Sequence, residues 1–117
     1  MINLIFFNIF LLYKMVEKVL ATYFEDKIGM RDNDLYDGGM YYAELSNDYK
    51  RKDFKALGGL PFGARLEITY KGKTVVATKA DVGAGGPNHP KIDLHYNLAK
   101  KLGFLEAGLD YVYIRKL

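Results

Sequence analysis

One hundred and seventeen residues, half of them hydrophobic, suit a single domain with one core. The 17 basic side chains are scattered among 14 acidic ones, giving a net charge of +3. That pattern excludes a concentrated nucleic-acid footprint and is compatible with weak attraction to an anionic polymer such as a bacterial wall. Cysteine is absent, which excludes disulfides, zinc–thiolate sites and thiol nucleophiles together and is neutral about compartment.

The chain opens on an almost unbroken apolar run, Met1 to Tyr13, interrupted by Asn3 and Asn8. The run falls short of the roughly 18–20 residues that cross a bilayer. No positive charge precedes it, as one would in a signal peptide. Val19-Leu20-Ala21 offers a small-residue cleavage point, but a cut there enters the first expected strand. Residues 1–15 therefore carry three readings: a signal or anchor, a packed N-terminal segment, or an over-extended start with translation beginning at Met15. Membrane contact is expected only if that segment is retained. The domain proper is expected over residues 16–117.

Residues 16–24, rich in β-branched and aromatic side chains, predict the first strand. Residues 25–39 are polar and turn-rich and read as a long loop of the functional kind. A short strand is expected at 40–45 and one helical turn at 53–57, stopped by Gly58-Gly59. Leu60-Pro61-Phe62-Gly63 makes a tight turn before a strand at 64–70, which places Leu66, Ile68 and Tyr70 on one face. Lys71-Gly72-Lys73 then turns the chain into a strand at 74–80. That strand ends on Asp81, and a loop containing Gly83, Gly85, Gly86, Pro87 and Pro90 follows, open to close approach of a ligand. Residues 94–102 predict an amphipathic helix with Leu94, Leu98, Ala99 and Leu102 on its apolar face. Gly103 is its expected C-cap, and Lys100 and Lys101 suit its negative end. An alternating strand at 111–115 closes the domain.

Ala21-Thr22-Tyr23, Leu60-Pro61-Phe62-Gly63, Asp81 before a glycine loop, and Ile92-Asp93-Leu94 before a segment ending Leu102-Gly103 occur in one order. Together they resemble the rare-lipoprotein-A-like double-psi β-barrel family, related to barwin and to the expansin N-terminal domain. The resemblance covers about residues 19–115. It implies a mainly β, six-stranded double-psi barrel with one or two short helices and a glycan groove across one face. Some members are lytic transglycosylases acting on peptidoglycan, others are expansins that loosen wall polymers without hydrolysis, and related modules occur in bacteriophage lysis and tail proteins. Carried over by position, Asp93 is the general acid, Asp81 the strand-end aspartate and Thr22 a groove-lining threonine. Three positions depart from the family pattern. Leu57 stands where lytic members have a histidine, Val82 where an arginine is usual, and Gly83 where expansin-like members have a tyrosine.

Glycan cleavage needs a proton donor at the glycosidic oxygen and usually a second carboxylate. Asp93 is the expected acid, with Asp81 the anion that raises its pKa. Each has a structural alternative: Asp93 as N-cap of the helix, Asp81 as acceptor for loop amides. Thr22, Tyr23, Tyr41, Tyr42 and His89 are the candidate substrate contacts, with Tyr36 a further stacking candidate, although alternation turns one of Tyr41 and Tyr42 into the core. His95 reads as structural. No ligand pair has helical i, i+4 spacing, so no metal is expected, and no cofactor. Gly83-Ala84-Gly85-Gly86 mimics a dinucleotide loop, but Pro87 and Pro90 forbid the helix that would hold phosphates. The expectation is a monomeric wall-polysaccharide module, extracytoplasmic, cell-wall associated or phage-encoded, that binds peptidoglycan or another wall glycan, with cleavage of the strand and binding alone both left open. The alternatives are a non-catalytic expansin-like binder and an adaptor domain of an envelope or phage particle.

Overall fold

Apolar residues alternate along the strands and turn one side of each inward. In the computed structural model, which describes residues 15–117, these inward sides close on one another as a six-stranded barrel. The apolar run at residues 1–14 and its three readings lie outside the described residues. The strands are β1 (Val16–Phe24), β2 (Tyr41–Glu44), β3 (Arg65–Tyr70), β4 (Lys73–Val82), β5 (Ile92–His95) and β6 (Leu109–Lys116). One helix, α1 (Tyr96–Leu102), follows β5 directly. Around the barrel the order is β1-β5-β2-β4-β3-β6, with β1/β5 and β2/β4 parallel and the remaining pairs antiparallel.

The interior is filled by Val19 and Ala21 of β1, Leu66, Ile68 and Tyr70 of β3, Ile92 and Leu94 of β5, and Val112 and Ile114 of β6. Leu98, Ala99 and Leu102 of α1 and Phe104 join the same buried cluster. Each buried Val, Leu or Ile among them contributes on the order of 1.5–3 kcal/mol by leaving water. Closure leaves no sheet edge exposed among the described strands.

The Lys71-Gly72 turn is as expected: both residues have positive φ, 45° and 83°, and connect Tyr70 to its partner Lys73. That is the two-residue geometry whose twist matches the flanking strands, and glycine supplies it without strain.

Three elements differ from the sequence reading. The helix begins at Tyr96, not at 94, because Ile92–His95 is recruited as a barrel strand between β1 and β2. Leu94 therefore packs in the barrel, and Asp93 is not the N-cap. His95 occupies that position and makes no capping bond from its side chain. The C-cap, Gly103, is left-handed as expected. No helical turn forms at 53–57, since side chains take its amides: Phe54 N–H donates to Ser46 Oγ, Lys55 N–H to Asp53 Oδ1 and Leu57 N–H to Glu44 Oε2. Strand β4 also runs on through Asp81 to Val82.

Candidate functional site

Strands β1 and β5 run in parallel with Thr22 level with Asp93, so their outward side chains are neighbours. Thr22 Oγ1 donates to Asp93 Oδ1 at 2.9 Å. On its other side, β5 pairs with β2 and sets Asp93 opposite Ala43. Ala43 is also level with Asp81 across the β2/β4 pair. The two aspartates thus flank one small residue on the strand between them.

That alignment depends on an irregularity. Along β4, Val75, Ala77 and Lys79 share the inward side, and simple alternation would send Asp81 in as well. Tyr42 is level with Lys79 but Ala43 with Asp81, so β4 carries one extra residue, Ala80, at this point. A bulge of this kind resets which way the following side chain points. Asp81 is thereby placed level with Asp93, not beneath the β3 core.

The two carboxylates then have different surroundings. Asp93 lines a cleft of about 360 Å³ with Thr22, Leu45, the loop residues Gly83 to Pro87, and Pro90. Burial pushes its pKa up to about 6. The Thr22 hydrogen bond opposes that rise, and the charges of Asp26 and Asp81 add to it. Asp81 is only 6% exposed and faces protein. Its Oδ1 accepts from Met30 N–H at 2.8 Å and from Val82 N–H at 2.9 Å, and Asn33 Nδ2 bonds the neighbouring Ala80 carbonyl. Asp81 pins the long 25–39 loop and reaches Asp93 through its field.

The cleft floor depends on the loop backbone passing close to Leu45. A Cβ at Gly83 would lie 2.8 Å from Leu45 Cδ2, so a larger residue there displaces the wall. The loop is fixed at both ends: Gly83 N–H donates to the Glu44 carbonyl, Leu45 N–H to the Lys91 carbonyl, and Lys91 N–H to the Leu20 carbonyl.

The expected aromatic contacts lie elsewhere. Tyr42 is fully buried, with its hydroxyl donated to the Ala64 carbonyl, so it is the inward member of its pair and not a substrate contact. Burial, with the Glu44 charge, pushes its pKa up. Tyr41 donates to Asp37 Oδ2 at 2.6 Å, a bond that raises its own pKa to about 12 and lowers that of Asp37. Tyr23 packs against the core, and His89 is exposed beside Tyr49, with a ring separation of 6.2 Å. None of Tyr23, Tyr41 and His89 lines the cleft. His95 is fully buried among Phe24, Tyr36 and Tyr41, and its Nε2 bonds the Asp26 carbonyl.

Sequence reasoning missed Leu45 as the cleft wall and missed a buried ion pair beneath it. Glu44 Oε1 meets Lys79 Nζ at 2.7 Å, and both side chains are almost wholly buried. Glu44 also accepts the amides of Leu57, Gly59 and Leu60, each at 2.8 Å, so one carboxylate holds the whole turn before Pro61. Among the described residues no three acidic, histidine or cysteine side chains gather to hold a metal ion, and no helix is long and apolar enough to cross a membrane.

No protein-family profile and no curated protein sequence matches the chain. Solved structures do match. A Streptomyces papain inhibitor superimposes with a TM-score of 0.60 at 18% identity, over 87% of this chain and 94% of that one. The expansin of Clavibacter michiganensis gives 0.62 at 21% identity without ligand, over 87% of this chain. An Asp-to-Asn mutant of that expansin in complex with cellohexaose gives 0.62 at 19% identity over the same share. The chain spans 50% of the length of these two expansin chains. A computationally designed double-psi barrel protein matches at 0.51, over 86% of this chain and the whole of that one. The fold is the double-psi β-barrel.

Proposed function

We propose that the chain is a wall-polysaccharide module whose cleft takes a glycan strand beside Asp93. The observation that supports this most directly is Asp93 itself. It lines an open cleft, its pKa is near 6, and Thr22 fixes its orientation. A carboxyl that keeps its proton near neutrality can donate to a glycosidic oxygen as the bond to the sugar carbon breaks. In a lytic transglycosylase the same sugar's own hydroxyl then closes on that carbon, so no second protein nucleophile is needed. The secluded Asp81 fits that scheme, since it supplies field and not contact. The complex of a same-fold expansin with cellohexaose supports a glycan as the ligand class. Location at the wall follows from that reading.

The test is digestion of purified sacculi. Wild-type protein should release anhydro-ended muropeptides, with a rate that falls as pH rises through about 6, where Asp93 loses its proton. Asp93→Asn should abolish release while retaining sacculus binding. Release unchanged in Asp93→Asn removes Asp93 from the role.

A second reading, binding without cleavage, is favoured by Leu57. The position at which the family resemblance implies a histidine is held by a leucine only 3% exposed and packed in the core. Sacculus binding with no product at any pH selects this reading.

A further inference from the structure

The barrel has a second hollow, on the wall away from the cleft. In the strand order, β6 stands across from β2 and β3 across from β5. There Lys18, Thr69, Tyr70, Lys71, Asp110, Tyr111 and Tyr113 line a depression of about 320 Å³. Strand alternation produces it. Val112 and Ile114 face in, so Tyr111 and Tyr113 stand two apart on the outer face, 51% and 49% exposed. Register sets Lys18 of β1 and Thr69 of β3 on either side of Tyr113.

The charges in this hollow are arranged unevenly. Asp110 accepts two hydrogen bonds, Oδ2 from the Tyr70 hydroxyl at 2.9 Å and Oδ1 from Tyr111 N–H at 2.7 Å. Those bonds hold its pKa below the usual carboxylate range, and the charges of Lys71 and Lys18 add to the lowering. Lys18 and Lys71, by contrast, form no ion pair among the described residues. Each rests on a ring instead, Lys18 Nζ 4.9 Å from the centre of Tyr111 and Lys71 Nζ 5.3 Å from that of Tyr70. Lys18 and Lys71 thus bring two ammonium groups into the hollow of the exposed Tyr111 and Tyr113 rings, against the single carboxylate of Asp110, which leaves an excess of one positive charge there.

We propose that this hollow is a second carbohydrate subsite, selective for an acidic glycan whose rings carry carboxylates. The C–H face of a pyranose covers Tyr113, and carboxylates on that or the adjoining ring pair with Lys18 and Lys71. A neutral glycan uses the ring but leaves both ammonium groups without partners, and that difference is the source of selectivity. The inference rests on the wall-polysaccharide reading only for the polymer class. It concerns residues that the cleft does not use.

Amide chemical-shift mapping on the full chain tests it, with hexagalacturonate as the acidic probe, cellohexaose as the neutral one and a single-stranded DNA oligomer as a non-sugar polyanion. The expected result is hexagalacturonate shifts at residues 18, 69–71 and 110–113. Lys18→Gln with Lys71→Gln should weaken that binding about five- to thirtyfold. Tyr113→Ala should weaken it about tenfold, with the remaining amide spectrum intact. The proposal is overturned by acidic-glycan shifts confined to the cleft, by no shifts at all, by equal binding of cellohexaose in the hollow, or by tighter binding of DNA there. Cleft amides at Thr22, Leu45, Gly83 and Asp93 report the first site independently, so either site can fail without the other.

Discussion

Asp93 carries a stability cost that follows from its position. Burial raises its pKa from 3.8 to about 6, so the folded protein holds this proton more tightly than the unfolded chain. Its contribution is fully favourable below pH 3.8 and is lost as pH climbs through 6. A rise of that size corresponds to roughly 3 kcal/mol as an upper limit, reduced by the remaining solvent access. Asp93→Asn keeps an acceptor for Thr22 and removes the charge. It should stabilise the protein by about 1–2 kcal/mol at pH 8 and by nearly nothing at pH 3.5. Urea denaturation at both pH values measures this, and an equal effect at the two would refute the linkage. That Thr22 and Asp93 share one cleft follows from short motifs on β1 and β5 that stand out in the sequence. The tyrosines were not legible there, since exposure along a four-residue strand depends on which neighbours cover it. Tyr42 is wholly buried by the barrel, whereas Tyr41, one residue away, is drawn off to Asp37.

At the scale of elements, the turn before Pro61 is held mainly by a buried charge, with one backbone bond of its own from Gly58 N–H to the Lys55 carbonyl. Glu44 takes three amides of this turn and the Lys79 ammonium, and Lys79 reaches on to the Leu60 carbonyl and to the ring of Phe62, 5.1 Å away. Arg31 stacks on the same ring at 3.5 Å, which joins the turn to the 25–39 loop. Glu44→Gln leaves Lys79 charged and buried without its counterion and should cost about 3–5 kcal/mol. Adding Lys79→Met should recover much of that loss, although the turn amides remain less well satisfied. Thermal or urea unfolding of the two variants decides it. No sequence pattern exposes this pair: the residues are 35 apart, one on a strand of four residues, the other in an otherwise apolar run. The same network explains why the expected helical turn is missing. A local propensity at 53–57 lost to side-chain acceptors supplied by Glu44, Ser46 and Asp53. The late start of the helix has a similar cause, since β5 is needed to join β1 to β2.

For the whole molecule, five of the six strands and the β3/β4 hairpin were readable from the sequence, whereas β5 and the remaining pairings were not. The double-psi topology was anticipated from the ordered set of short motifs, because β1 pairs with the last two strands of the chain and not with its sequence neighbour. That separation also governs how the barrel assembles. The β3/β4 pair closes across Lys71-Gly72, whereas Thr22 and Asp93 meet across 71 residues. Loop closure alone makes the distant pairing costlier by roughly 2–3 kcal/mol, so the hairpin should form first and the β1/β5/β6 closure last. Refolding should fall in the millisecond-to-second range of non-local β topologies. Gly72→Ala strains a left-handed turn residue by about 1 kcal/mol and should slow folding about fivefold with little change in unfolding. Val112→Ala, on β6, should cost roughly 2 kcal/mol and appear chiefly as faster unfolding. Stopped-flow rates across a denaturant series separate the two effects. If Val112→Ala instead slows folding while Gly72→Ala speeds unfolding, the nucleus is the β1/β6 closure, and the hairpin forms on an already assembled barrel.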